Sequence, residues 1–250
     1  MPENFGSRLD LAVRFVNAVD GSVIREDQAV FFHNKKALKP RQSEHAYWLF
    51  ADTGRADFIL GVNVHGFEKT QITVSYKMLC ENLPTMEIPL VPRQSAWNNP
   101  PLLTVEGKME GLEEVQAVAK RESDVYAVSY EERDCKLSLC HTRRMNFADS
   151  YYALASSDWQ EFEIVRILKK LPGDMVQIDH TLKKRWQGSC FLVHPVYGTV
   201  SEEGRYLLRV PVYGKDAGWL ARFVVRGKEY FQDFDVRNPI ISMEEDNVKG

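Results

Sequence analysis

The chain has 250 residues, 44% hydrophobic and 27% charged, which supplies apolar material for one large or two ordinary domains. A formal charge of -3 excludes a globally basic field for nucleic acid or an anionic membrane. Met1 to Ser7 shows neither a basic nor an apolar leader region, and no apolar run approaches the roughly 18 residues that span a bilayer. The four cysteines, Cys80, Cys135, Cys140 and Cys190, are too sparse for a disulfide framework. The expectation is a chain made and folded in the cytoplasm, with reduced thiols and no membrane partner.

Leu9, Leu11, Val13 and Phe15 recur at a period of two, with Asp10 and Arg14 between them. That alternation reads as a strand with one wet face. Asp20-Gly21 is a turn signal, because glycine accepts positive φ at no steric cost. Ala29 to Phe32 is the next strand, and Asn34-Lys35-Lys36 an exposed turn. Lys35, Lys36, Lys39 and Arg41 form a small basic cluster for which a solvated loop is the simpler account. His45 to Phe50 reads as a strand with Tyr47 and Leu49 opposite Trp48 and Phe50, ended by Asp52-Thr53-Gly54. Phe58 to Val64 pairs with Gln71 to Tyr76 across the His65-Gly66-Phe67 corner, and Met86 to Leu90 is a closing strand.

The order "RFVNAVDGSVIREDQAVFF" then "YWLFADTGRADFILGVNVHGFEKTQITVSY" resembles the carboxypeptidase-regulatory-like, or transthyretin-like, β-sandwich family. Asp20-Gly21, Gly54 with Phe58, and Gly66-Phe67 stand where that family places its turns. The resemblance covers residues 9 to 90. It implies a seven-stranded sandwich or a close variant and no activity, since its motifs are turn chemistry. Arg55-Ala56-Asp57 after Gly54 and the aromatic His45 to Phe50 strand depart from the family's pattern.

Val91 to Pro101 holds Pro92, Pro100 and Pro101 with Ser95, Asn98 and Asn99, a composition that supplies few ladder donors. The expected organisation is a sandwich over 9–91, a linker over 92–101, a second all-β domain over 102–240 and a polar tail over 241–250. Leu112 to Arg121 fits either a helical face or a strand, and its neighbours favour strand. The runs Leu102 to Val105, Val125 to Tyr130, Lys136 to His141, Tyr151 to Ala155, Phe162 to Leu168, Met175 to Leu182, Phe191 to Val196, Arg205 to Val212, Trp219 to Val225 and Tyr230 to Val236 read as short strands. With no long helical pattern among them, they argue a second sandwich or barrel. Leu171-Pro172-Gly173-Asp174 is a hairpin turn. Pro195-Val196-Tyr197-Gly198 recurs as Pro211-Val212-Tyr213-Gly214, read as equivalent ends of two neighbouring strands.

Chemistry-bearing residues form no catalytic constellation. Cys135 and Cys140 lie an odd number of positions apart on one strand, with His141 diverging, which disfavours a metal site. Cys135 suits a core beside Leu137 and Leu139. Asp179 and His180 are adjacent in an extended run and are expected to face opposite ways. Glu161 with Glu163, and Asp233 with Asp235, read as wet sheet faces. Neither phosphate loop, nucleophile elbow nor dinucleotide fingerprint appears, so no catalytic residue, metal or cofactor is assigned.

Lys169-Lys170 and Lys183-Lys184-Arg185 are placed together at the base of a hairpin running from Phe162 to Trp186. The candidate partner-binding residues are therefore Lys183, Lys184, Arg185 and Trp186, the charges steering and the indole anchoring. Nucleic acid is disfavoured by the overall charge. The functional expectation is a non-catalytic structural or adaptor protein with protein partners. A particle assembled inside the cell and then released, such as a phage tail or a tail-like contractile injection machine, is an analogy consistent with it. The alternative is a carbohydrate-binding module using Trp48, Trp159, Tyr151 and Tyr152 as surface aromatics.

Overall fold

The computed structural model describes residues 9–25, 28–34, 36–43, 45–51, 53, 56–79, 84–97, 100–121, 126–131, 135–140, 150–183, 186, 190–212, 218–235 and 237. Among these residues, apart from short 3-10 turns, the regular elements are all strands. The chain divides into two compact units, Met1–Ala18 with Ser22–Asn98, and Val19–Gly21 with Asn99–Gly250. Among the described residues no helix is long and apolar enough to cross a membrane.

Unit 1 holds β1 (Leu9–Asn17), β2 (Ala29–His33), β3 (Lys36–Leu38), β4 (Arg41–Gln42), β5 (Tyr47–Ala51), β6 (Phe58–Val64), β7 (Thr70–Val74) and β8 (Thr85–Leu90). They form two four-stranded sheets, ordered β4-β5-β1-β8 and β3-β2-β6-β7. The closing strand, β8, runs parallel to β1, pairing Phe15 with Ile88. The corner at Gly66, where φ is +80°, returns β6 onto β7 as its turn residues predict. Asn34 (φ 47°) makes the β2–β3 turn.

The inward rows of both sheets meet in one core, with Phe31 at its centre. Its ring lies 5.7 Å from Phe15, 5.0 Å from Trp48 and 5.1 Å from Phe50. Such aromatic pairs add about 0.5–1.5 kcal/mol each beyond their buried area. One expectation needs correction. The face of β1 read as wet is covered, because Asp10 and Ala12 are buried. Asp10 is accommodated by a hydrogen bond from the Thr53 N–H at 2.8 Å. Arg14 remains partly exposed, its Nε donating to Glu87 at 2.7 Å and its guanidinium 5.1 Å from the Tyr47 ring centre.

Unit 2 begins with β9 (Leu102–Lys108) and β10 (Leu112–Ala119), the latter a strand as its neighbours suggested. Next come β11 (Tyr126–Glu131), β12 (Lys136–Cys140), β13 (Ser150–Ala155), β14 (Phe162–Leu171), β15 (Met175–Ile178) and β16 (Cys190–Val193). These six close into an antiparallel barrel, ordered β11-β12-β15-β14-β13-β16. Ala127 of β11 pairs with Cys190 of β16 to complete the ring, which removes the open edges. The chain then returns through β17 (Val196–Tyr197), β18 (Thr199–Val200), β19 (Arg205–Pro211), β20 (Gly218–Val225) and β21 (Lys228–Asp235).

The returning strands pair with the two that preceded the barrel. β10 joins β20, and β9 joins β19 over the full register Leu102↔Pro211 to Lys108↔Arg205. The region 102–240 is therefore not a sandwich or a barrel but both, a sandwich with a barrel inserted between β10 and β17. Val105, Val115, Leu208, Trp219 and Phe223 fill the sandwich. Val118, Leu220 and Phe231 from the sandwich pack with Ala153, Ala155 and Phe162 from the barrel, joining the two parts.

The Pro-Val-Tyr-Gly echo does not mark neighbouring strands of one sheet. Val196 starts β17, which pairs with β10, whereas Pro211 ends β19 in the β18-β19-β9 sheet. Tyr213 and Gly214 lie outside the described residues.

Candidate functional site

The hairpin singled out in the sequence exists, and Leu171 pairs with Met175 across the Pro172-Gly173-Asp174 turn. Gly173 (φ 76°) and Asp174 (φ 55°) supply the left-handed backbone that the turn requires. The proposed basic patch, however, is divided. Lys169 and Lys170 pair with Gln177 and Val176 near the tip, whereas Lys183 follows the end of β15 beside Glu163 at the base. Lys169 stands six positions after Glu163 on β14, about 20 Å at the ordinary strand rise. Lys184 and Arg185 lie outside the described residues.

The base of the hairpin instead gathers a polar cluster whose hub is Glu163. Its Oε1 accepts from the Lys183 backbone N–H at 3.0 Å and lies 3.3 Å from His180 Nε2. Oε2 accepts from Trp186 Nε1 at 3.4 Å. The other ring nitrogen of His180, Nδ1, lies 2.7 Å from Asp179 Oδ1, which also accepts the Arg166 N–H at 3.1 Å. Beside them, the Tyr130 hydroxyl accepts the Leu182 N–H at 3.1 Å, and burial pushes that phenol above its ordinary range.

Two expectations are overturned here. Glu163 is buried rather than on a wet face, since β14 opens with two covered residues, Phe162 and Glu163. Asp179 and His180 also form a hydrogen-bonded pair. Strand β15 stops at Ile178, so the alternation that would separate their side chains no longer applies.

A second polar group continues from Lys183 into the sandwich. Lys183 Nζ lies 3.2 Å from Glu229, which accepts from Arg222 at 2.6 Å. The buried Arg222 also donates to Gln116 at 2.6 Å and to Glu114 at 3.3 Å. Burial raises the Glu229 carboxyl, but the hydrogen bonds and charges of Arg222 and Lys183 outweigh it and hold the group below the usual carboxylate range. Sequence reasoning missed Glu114, Gln116, Arg222 and Glu229 because their partners lie 46 or more positions apart or across a hairpin whose polar face looked solvated.

Lys183 and Trp186 are thus engaged by their own chain, and Trp186 is half-buried against the barrel core. Of the aromatics considered for sugar stacking, Trp48 and Tyr152 are buried in their cores. Trp159 is half-buried and stacks on Phe191 at 5.0 Å, while Tyr151 lies under Arg166 at 5.8 Å.

The cysteines occupy unlike places. Cys190 is inside the barrel, where burial pushes its thiol up to about 11. Cys135 has φ 49°, immediately before β12, and packs partly against the barrel core with its Sγ 3.7 Å from Thr181 Oγ1. Cys140 is half-buried at the far end of β12, and Cys80 and His141 lie outside the described residues. Burial lowers the pKa of His194, whose ring packs 4.7 Å from Tyr152.

Among the described residues no group of three or more His, Cys, Asp and Glu side chains is arranged to hold a metal ion. No protein-family model matches the chain, and no curated protein matches it.

Proposed function

We propose that this chain is a non-catalytic structural or adaptor component of a larger protein assembly, such as a phage tail or a tail-like contractile injection particle. The observation that carries the reading is where the polar groups are used. The ionisable cluster of Glu163, Asp179 and His180 bonds to itself and to the backbone that crosses it, including the Lys183 N–H. Its role is to fasten the segment after β15 to β14 and, through Lys183 and Glu229, to the sandwich. Unit 1, by contrast, ends one of its sheets in β7, an edge strand with no charge or proline, whose outer N–H and C=O groups are suited to strand addition.

Partner capture tests the reading. The purified chain, added to extract of its native source, is expected to recover a fixed set of proteins in constant proportion. Lys183 bonds Glu229, so its reversal would disturb the fold. Reversal is therefore confined to Lys184 and Arg185. K184E/R185E is expected to weaken capture with little change in melting temperature if the hairpin base is the interface, and unaltered capture removes it. Turnover of a substrate by the pure chain defeats the non-enzyme reading.

A further inference from the structure

Unit 1 presents four sheet edges, and three carry a feature that discourages strand addition. Strand β3 is three residues long and begins with Lys36, and β4 is two residues long and begins with Arg41. Strand β8 carries Glu87 and Pro89, and a proline cannot donate to a new ladder. These are the ordinary means by which sheets avoid unwanted pairing. Strand β7 has none of them. It reads Thr-Gln-Ile-Thr-Val, with no charge or proline, and it pairs with β6 in unbroken register.

The segment following β8 pairs beside the β6–β7 corner. Glu68 donates to Val91 at 2.8 Å, and Arg93 donates to Gly66 at 2.8 Å. Among the described residues, no strand lies along the outer side of Thr70–Val74. Thr70 and Val74 are buried and Ile72 is half-buried against the core, while Gln71 and Thr73 are exposed on the other face. The neighbouring Ile59, paired with Thr73, is 40% exposed.

We propose that β7 is a homodimerisation edge, pairing antiparallel with β7 of a second copy of this chain about Ile72. This deepens the assembly reading and rests on it. In that register Gln71 faces Thr73 of the second copy, Ile72 faces its counterpart, and Thr70 faces Val74. No charge in the five residues meets a like charge, so the strand is complementary to itself. The inward face sets Ile72 against Ile72 and extends the two apolar cores toward each other. The outward face offers only amide and hydroxyl groups, which hydrogen-bond to one another across the join. A foreign strand would need no such self-complementarity.

Sedimentation of the full chain over a range of concentrations tests this directly. The wild type is expected to pass from 28.8 kDa to twice that mass. Q71K/T73K places lysine opposite lysine at both outer pairs and is expected to raise the dimer Kd roughly tenfold with an unchanged melting temperature. Q71E/T73K places opposite charges at the same pairs and is expected to restore the dimer, more weakly at high salt. A wild type that stays monomeric, or a dimer indifferent to Q71K/T73K, overturns the proposal. A monomer that still captures the native protein set overturns this inference alone and leaves the assembly reading intact.

Discussion

The sandwich of unit 1 and the sandwich of unit 2 both hold their two sheets together with apolar rows, and they differ in what else the sheets carry. The first is built from one continuous run of strands, and its centre is an aromatic cluster around Phe31. The second is interrupted after β10, resumes at β17, and carries a buried charge, Arg222, on the face of its sheet away from the apolar core, tied to Gln116, Glu114 and Glu229 of that same sheet. An apolar core tolerates no polar group without a partner, but it specifies little beyond shape and volume. A buried charge network costs desolvation and demands fixed geometry in return. The difference leaves unit 1 held by apolar packing around Phe31 and adds a polar network at the joint between barrel and sandwich.

Breaking the first arrangement gives the largest expected effect. Phe31→Ala removes three ring contacts from a fully buried position and is expected to cost about 3–5 kcal/mol, as other large aromatic truncations do. Calorimetry of the full chain should show the loss in the transition belonging to unit 1. An equal shift of every transition would mean that the two cores do not melt separately.

Arg222→Ala probes the joint. Removing the guanidinium leaves Gln116 and Glu229 without their shared donor and is expected to cost about 3 kcal/mol. The change should appear in unit 2 and should raise hydrogen exchange in β10, β20 and β21. Protection confined to its wild-type pattern would show that the apolar contacts among Phe162, Leu220 and Phe231 suffice.

A pH series sharpens the same contrast with a smaller effect. Glu229 has its carboxyl held low in the folded chain by Arg222 and Lys183. Its stabilisation is therefore complete above the unfolded value for a glutamate and is lost as pH falls through the lower folded value. Acid melting of unit 2 should show this contribution in the wild type, and Glu229→Gln should remove it. Identical acid profiles would detach Glu229 from the joint. The smallest effect is expected at the hairpin tip, where K169E/K170E should change stability by less than about 0.5 kcal/mol because both side chains are exposed.

Most of the strands of unit 1 were legible, because they alternate and turn residues mark their ends, although β1 pairs with β5 and β8 rather than with its neighbour in sequence. Gly66 and Asn34 are examples where the residue type and the observed positive φ agree. Unit 2 was legible as strands but not as an architecture. Alternation tells which side chains share a face, yet it carries no information that Leu112 will pair with Val225 across the barrel. The candidate cluster was missed for the same reason and for one more. Glu163, Asp179 and His180 were read under strand alternation, and the cluster forms because β15 ends one residue before Asp179. Boundaries of that kind turn on a single residue, which periodicity does not resolve.

The proposed role of this chain is that of a part in a larger assembly. Density-gradient sedimentation of native extract, followed by detection of the chain in each fraction, tests it most directly. The chain is expected to travel in a fast-sedimenting peak with a constant set of partner proteins. A chain found only in the slow fractions, as a monomer or a dimer with no partner at any salt concentration, would contradict it.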